Sequence, residues 1–383
     1  MTEKLYYENQ YLKEFEARVV SCEKIGENFA VELDKTAFFP EGGGQPGDRG
    51  RIADAVVSDT REEDGRIIHI CDKELKIGEN ADCALDFDFR FTNMQQHSGE
   101  HIFSGFVHSV CGYDNVGFHM GEHSVTVDFN GVVSMQELGR IEKLTNEAIY
   151  KNIPVEILYP SRDELENYSY RSKKEIQGQV RLTRIEGVDL CACCGTHVAL
   201  TGEVGMVKVI SMMNYKSGVR ITLQIGRKAL EDYCGKNASA AAISNMLCVK
   251  PEEITDGVER ILGQLREAKG KISSLKNELF ALKCKEMSGS FGILFDDEGS
   301  ADSARILCDM LAEKVKIAAV FSGDDSNGYK YAIASRSEDV RSLGKEFNSA
   351  CGGRGGGKPE MIQGSASAAK EAIEEFFNNL NLS

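Results

Sequence analysis

Two short stretches with matched spacing constrain this chain more than any other feature. In QQHSGEHIFSG, residues 95–105, His97 and His101 stand four apart, and in CACCGTH, residues 191–197, Cys193 and His197 repeat that interval. Positions i and i+4 are neighbours on a helix face, so His97 and His101 can present two imidazoles to one object. A polar helix with incidental histidines is the plain alternative, and a lone pair would not decide between them. The second pair changes the balance. Three imidazoles and a thiolate suit a borderline-soft ion, and zinc sites commonly join two local pairs from distant segments in tetrahedral geometry. A fold that uses both pairs must carry residue 193 back against residue 97. Cys191 and Cys194 are rival sulfur donors on spacing alone.

The chain has 383 residues, 42% hydrophobic and 27% charged, which is ordinary for a soluble protein of two or three domains. No apolar run approaches the roughly 20 residues that cross a bilayer. The opening MTEKLYYENQ is polar, so a cytoplasmic protein without membrane partners is expected. In a reducing compartment the crowded cysteines read as metal ligands, and the nine elsewhere as small buried apolar residues. A net charge of −15 argues against a general nucleic-acid binder but leaves room for a local basic patch.

The expected fold class is α+β. Residues 1–90 hold short alternating runs (RVVSCEK, NFAVELDKTAFFP, RIADAVVSDT, DGRIIHICD) that predict a small Gly-rich β-barrel. Residues 91–240 mix helical patterns with strands such as HSVTVDF and VRITLQI, an α+β layer domain around the donor pairs. Over 258–282, Val258, Leu265, Ile272 and Leu279 occupy heptad a, and Ile261, Ala268, Leu275 and Leu282 occupy d. Residues 250–287 are therefore expected to form a coiled coil or helical hairpin, with Gly270 as a weak point and a homodimer as one outcome. FGILFDDEG, KIAAVFSG and KYAIASRS alternate with helical stretches over 290–383, a small α/β domain.

Two glycine clusters stand out. FFPEGGGQPGDRG lacks the lysine and hydroxyl of a phosphate-binding P-loop. It reads as a tight turn using positive φ, flanked by the polar Thr36 and Gln45, that lets backbone amides approach a ligand. CGGRGGGKP carries five glycines with Arg354 and Lys358. Successive free amides there would form an anion-binding nest, and its cations suit phosphate.

HSGEH and CCGTH, preceded by DKTAFFPEGGGQPGDRG (residues 34–50), resemble the editing domain of alanyl-tRNA synthetase and its freestanding AlaX-type relatives. CGGRGGGKPEMIQGSA (351–366) resembles the DHH-associated domain that ends those synthetases, as in the longer AlaX-type proteins. No segment corresponds to an aminoacylation domain, and no DHH phosphoesterase motif is evident. The resemblance implies hydrolysis in trans of tRNA(Ala) mischarged with serine, and also with glycine. It carries a Zn2+ cofactor onto His97, His101, Cys193 and His197. Cys194-Gly195 stands where the family commonly has a glycine pair, which keeps the sulfur donor open.

Glu100, between the two histidines, is the candidate to orient water or bind the substrate's ammonium. Thr36, at the family's motif threonine, is the candidate to hydrogen-bond the serine hydroxyl, a contact able to reject alanine by ~10⁴-fold. Gln45 is placed in the same catalytic group, and His119 and Glu122 are expected nearby. Gly353, Arg354, Gly355, Gly356 and Lys358 are expected to touch tRNA. The rival readings are editing of threonyl-tRNA mischarged with serine, and a non-catalytic RNA-binding protein with structural zinc.

Overall fold

Alternating apolar residues in the first 85 positions close into a barrel. The computed structural model describes residues 2–121, 124–172, 178–297 and 299–381. The short β1 (Glu3–Lys4) and α1 (Leu5–Glu8) precede β2 (Glu14–Ile25) and β3 (Asn28–Leu33), and β4 (Lys35–Thr36) pairs with β1. With β5 (Gly50–Ile52), β6 (Ala55–Glu63), β7 (Arg66–Cys71) and β8 (Asn80–Leu85), the barrel runs in the order β2-β3-β7-β6-β5-β8. Every second residue faces inward, so Val19, Val31, Leu33, Ile52, Val57 and Leu85 pack its interior.

The helix α2 (Phe87–Cys111) follows directly, started by the Asp86 side chain accepting from Phe89 N and stopped by Gly112 at φ 72°. One of its faces is apolar, with Met94, Ile102, Phe103 and Val107 in the core. Another is buried yet polar: Asn93, Gln96, His97, Glu100 and His101. Buried polar groups persist where they are bonded or used, so this face marks the candidate site. A four-stranded sheet packs on α2, in the order β14-β15-β10-β9, from β9 (Asn115–Met120), β10 (Val125–Phe129), β14 (Val207–Tyr215) and β15 (Gly218–Ile225). The alternating Val219, Ile221, Leu223 and Ile225 of β15 reach the shared core, joined by Leu138 and Ile141 of α3 (Met135–Tyr150). Between them lie β11 (Val155–Leu158), α4 (Arg162–Leu165), β12 (Leu182–Ile185) and β13 (Asp189–Ala192), the strands forming a three-stranded sheet.

Contacts divide the chain into two units, Met1–Ile243 and Ser244–Ser383. The segments 1–90 and 91–240, read separately in the sequence, thus share one unit. The boundary falls within α5 (Arg227–Leu247). In the second unit α6 (Ile254–Lys285) is one unbroken helix, about 48 Å long at 1.5 Å per residue. It passes straight through Gly270, so no hairpin forms within 258–282. Val258, Ile261, Leu265, Ile272, Leu275, Leu279 and Leu282 are 41% to 65% exposed in the single chain. Beyond it come β16 (Gly289–Asp296), α7 (Ala301–Leu311), β17 (Val315–Asp324), β18 (Gly328–Ala334), α8 (Arg341–Ala350), β19 (Arg354–Lys358), β20 (Met361–Ala366) and α9 (Lys370–Asn381). The five strands order as β16-β17-β18-β20-β19. The chain is thus mixed α+β, and no described helix is long and apolar enough to cross a membrane.

One ion pair ties barrel to helix in the first unit. Arg90, fully buried in α2, donates to Asp48 Oδ2, to Gln10 O at 3.0 Å and to Ala37 O. Asp48 is buried as well and also accepts from Phe39 N at 2.6 Å. Removing one member of such a pair strands the other charge, at about 3–5 kcal/mol. Arg90→Met is expected to lower the unfolding free energy of the first unit by that amount, measured by urea denaturation of the full chain.

Candidate metal centre

The EGGGQ turn builds the first support. Gly42 and Gln45 exchange backbone hydrogen bonds at 3.0 Å, with Gly43 and Gly44 between them at φ 62° and 90°. A two-residue turn with both φ values positive is the tight hairpin geometry that glycine favours. It delivers the Gln45 side chain inward, where Nε2 donates to Thr196 Oγ1 at 2.8 Å and Oε1 accepts from Thr196 N at 3.1 Å. The backbone N–H of Thr196 fixes which end of the amide is oxygen. The same Oε1 lies 3.0 Å from His97 Nδ1. A carbonyl oxygen only accepts, so Nδ1 carries the proton and Nε2 is left bare.

The other imidazoles are anchored in the same way. His101 Nδ1 donates to Asp189 Oδ2 at 3.0 Å, and Asp189 is itself gripped by Arg171 through two bonds of 2.8 and 2.9 Å. His197 Nδ1 meets Ser98 Oγ at 3.2 Å, a hydroxyl that also accepts from Val198 N. Each anchor leaves an Nε2 for the centre. Cys193 Sγ lies 3.4 Å from Nε2 of both His97 and His197. One ligand atom from each of His97, His101, Cys193 and His197 falls within 4.8 Å of the others, so the group could hold a metal ion. Gly195 is required by the approach: a Cβ there would stand 2.1 Å from His97 Cε1.

Charge separates the three candidate thiols. Burial pushes the Cys193 thiol up, but His97, His197 and His101 outweigh it and hold the group well below the ordinary thiol range. Burial drives Cys191 to about 11, and burial with the Cys193 charge raises Cys194. Cys193 is the one of the three thiols whose Sγ lies within the group formed with His97, His101 and His197. Cys191 forms only a secondary group with His101 and Asp189, a carboxylate already engaged by Arg171. Burial, with the charge of His97, lowers His197 to about 3. His101 is raised well above its ordinary value, because Cys193 and Asp189 overcome burial.

A cavity of about 490 Å³ opens on these donors, lined also by Gly43, Gly44, Glu100, Phe118 and Arg171. The Phe118 ring stacks on His97 at 5.3 Å. Glu100 Oε1 accepts from Ser104 Oγ at 2.5 Å and from Asn115 Nδ2, which aims a buried carboxylate at this wall.

Thr36 is not brought here. Its side chain is fully buried, its hydroxyl donates to His69 Nε2 at 2.9 Å, and its oxygen accepts from Phe38 N at 3.1 Å. His69 donates Nδ1–H to Val31 O, and burial pulls it down to about 4, so it stays neutral. Reading a substrate hydroxyl would require Thr36 to give up that partner. Gln45 reaches the site as the support of His97 rather than as a cavity-lining group. His119 is exposed on β9 and lines a neighbouring cavity, and Glu122 lies outside the described residues. Arg354, Gly355, Gly356 and Lys358 belong to the second unit, where they form an edge strand and not a loop nest. Gly355, Gly356 and Lys358 pair across to Gly364, Gln363 and Met361 of β20, while Gly353 donates to Asn348 O. Pairing with β20 is what turns the glycine run into a strand.

Asp189, Ser98, Thr196 and Gln10 were missed in the sequence. Ser98 and Thr196 sat inside the motifs HSGEH and CCGTH, which could have drawn attention to them. Outer partners of metal-binding histidines typically govern affinity by about 10–100-fold. Gln45→Leu is expected to weaken metal binding by that factor, read by competition with a chromogenic chelator.

Two family descriptions match the chain. Residues 180–222 match the threonyl and alanyl tRNA synthetase second additional domain, and 288–382 match the DHHA1 domain. The alanyl-tRNA editing protein AlaX-L of Pyrococcus horikoshii is 29% identical across 97% of this chain and 96% of its own length. The alanyl-tRNA editing protein Aarsd1 of Mus musculus is 25% identical across 96% of this chain and 94% of its own. An alanine–tRNA ligase of Pyrococcus abyssi is 31% identical, but the chain spans only 43% of that enzyme. Both domains occur in this order, and over nearly its whole length the chain is similar to the freestanding alanyl-tRNA editing proteins AlaX-L and Aarsd1.

Proposed function

We propose that the chain hydrolyses, in trans, the ester of tRNA(Ala) mischarged with serine or glycine, with zinc held by His97, His101, Cys193 and His197. The observation that carries this is the convergence of three Nδ1-anchored imidazoles and one thiolate on a single cavity. The donor set suits zinc in kind and number. Zinc bound there supplies Lewis acidity toward an ester carbonyl or water.

The protein's own groups do the rest. Gly43 and Gly44 leave room at the cavity wall for an esterified ribose, and Phe118 provides an apolar face. Glu100 carries the one carboxylate among the described cavity-lining residues. It orients the attacking water and accepts its proton, after which the ester opens to free amino acid and tRNA. Gln45, Asp189 and Ser98 hold the imidazoles in place. In the second unit, Gly353, Arg354, Gly355, Gly356 and Lys358 contact the tRNA backbone, their exposed strand edge and two cations facing phosphate. The exposed heptad stripe of α6 pairs with a second copy.

Deacylation of a panel of charged tRNAs, with and without chelator, tests the central reading. Ser-tRNA(Ala) should be cleaved far faster than Ala-tRNA(Ala), and chelation should abolish cleavage. Cys193→Ser should lose zinc and activity together, whereas Cys194→Ser keeps both. Full activity of metal-free protein would end the proposal. In the same assay, Arg354→Ala with Lys358→Ala should bind tRNA more weakly and with a shallower salt dependence, because fewer phosphates are neutralised. Light scattering at micromolar concentration is expected to give a dimer; a monomer would leave the α6 stripe without this role.

A further inference from the structure

A second cavity of about 650 Å³ in the first unit is lined by Arg49, Phe89, Asn93, Gln96, Arg227 and Lys228, with Asp86 and Asp88 at its rim. It has no lining residue in common with the metal-side cavity, but chain neighbours line the two. Gly44 lines one and Pro46 the other; His97 lines one and Gln96 the other; Phe118 lines one and His119 the other. Gln96 and His97 on α2, and Phe118 and His119 on β9, are successive residues with Cα atoms about 3.8 Å apart, so the main chain of these two elements forms the wall between the cavities. Two features are unaccounted for by folding. Asn93 and Gln96 are 4% and 2% exposed, yet Asn93 Nδ2 and Gln96 Oε1 have no hydrogen-bond partner among the described residues. An unmet buried donor or acceptor costs about 1–3 kcal/mol, which a ligand offering the complementary pair would recover. The Arg49 guanidinium carbon also lies over the Phe89 ring, 4.4 Å from its centroid, a cation–aromatic pair of the kind on which single-stranded bases stack. The carboxylates are already committed: Asp86 caps α2, and Asp88 pairs with Arg227 at 3.2 Å.

We propose that this cavity seats the cytidine nucleotide immediately 5′ of the terminal adenosine of the tRNA substrate. Gln96 Oε1 accepts from the cytosine amino group, and Asn93 Nδ2 donates to its ring acceptors. The base stacks on the Arg49–Phe89 platform, and Arg227 and Lys228 face the linking phosphate. The inference rests on the reading that the esterified end enters the metal-side cavity, and it adds a seat for the next nucleotide.

The test titrates the full-length protein with the trinucleotide CpCpA and with free CMP, and compares kcat/KM for Ser-tRNA(Ala) with that for 3′-O-seryl-adenosine. Arg49→Gln and Asn93→Leu are each expected to weaken CpCpA binding about tenfold, or 1.4 kcal/mol. The ratio of the two kcat/KM values should fall by a similar factor. Asn93→Leu should not lower the thermal midpoint of the free protein, since it removes an unpaired amide; a drop would mark Asn93 as structural and overturn its assignment. Wild-type affinity for CpCpA in both variants, or CMP binding as tight as CpCpA, would overturn the site. If the wild-type protein cleaves no seryl ester, the hydrolase reading fails, while the CpCpA titration still decides this one.

Discussion

The guanidinium of Arg90 is the point on which the first unit turns. It holds the Ala37–Asp48 segment, whose turn carries Gln45, and it holds the carbonyl of Gln10, whose side-chain oxygen accepts from His197 N. Arg90 itself sits two turns before His97 on α2. One buried cation therefore registers the helix with His97 and His101, the turn that orients His97, and the segment that bears His197. Hydrophobic packing cannot do this alone, because it is non-directional. A one-residue slip of α2 would keep much of its apolar contact and misalign every donor.

The centre is assembled from groups that oppose their own burial. Three imidazoles and a thiolate in a dry interior would be costly without partners, and here each has one. Gln45 and Asp189 take the Nδ1 protons of His97 and His101, Ser98 holds His197 Nδ1, and Cys193 Sγ lies 3.4 Å from Nε2 of both His97 and His197. Outer and inner groups thus form one network, in which a change at Asp189 is felt at Cys193 through His101.

Much of this was legible in the residues. The alternating runs RVVSCEK, DGRIIHICD and VRITLQI fall in strands, because one buried face per strand imposes period two. The two donor pairs meet in space, as their matched spacing suggested. What stayed hidden was pairwise. Asp189 carries no local pattern that distinguishes it from a surface polar residue, and Ser98, though inside HSGEH, gives no sign of which nitrogen it faces. Thr36 looked available beside a glycine turn, yet its hydroxyl was already matched to His69, thirty-three positions away. Likewise the C-terminal glycines read as a loop from composition, and only the partner strand β20 shows that Gly355 must lie against the backbone of Gly364, where a Cβ would stand 2.3 Å from Gln363 O.

That glycine strand has a further meaning for the molecule in a crowded cell. β19 is the outermost strand of its sheet, exposed along its length and without apolar side chains. An open row of amides and carbonyls is a template on which another chain's strand can add, the usual beginning of sheet-to-sheet aggregation. Arg354 and Lys358 stand at its two ends, and a second copy laid alongside would bring like charges together. The two cations make the strand a surface that polyanions can approach and other copies of itself cannot. Replacing them with neutral residues would leave the edge open to self-association.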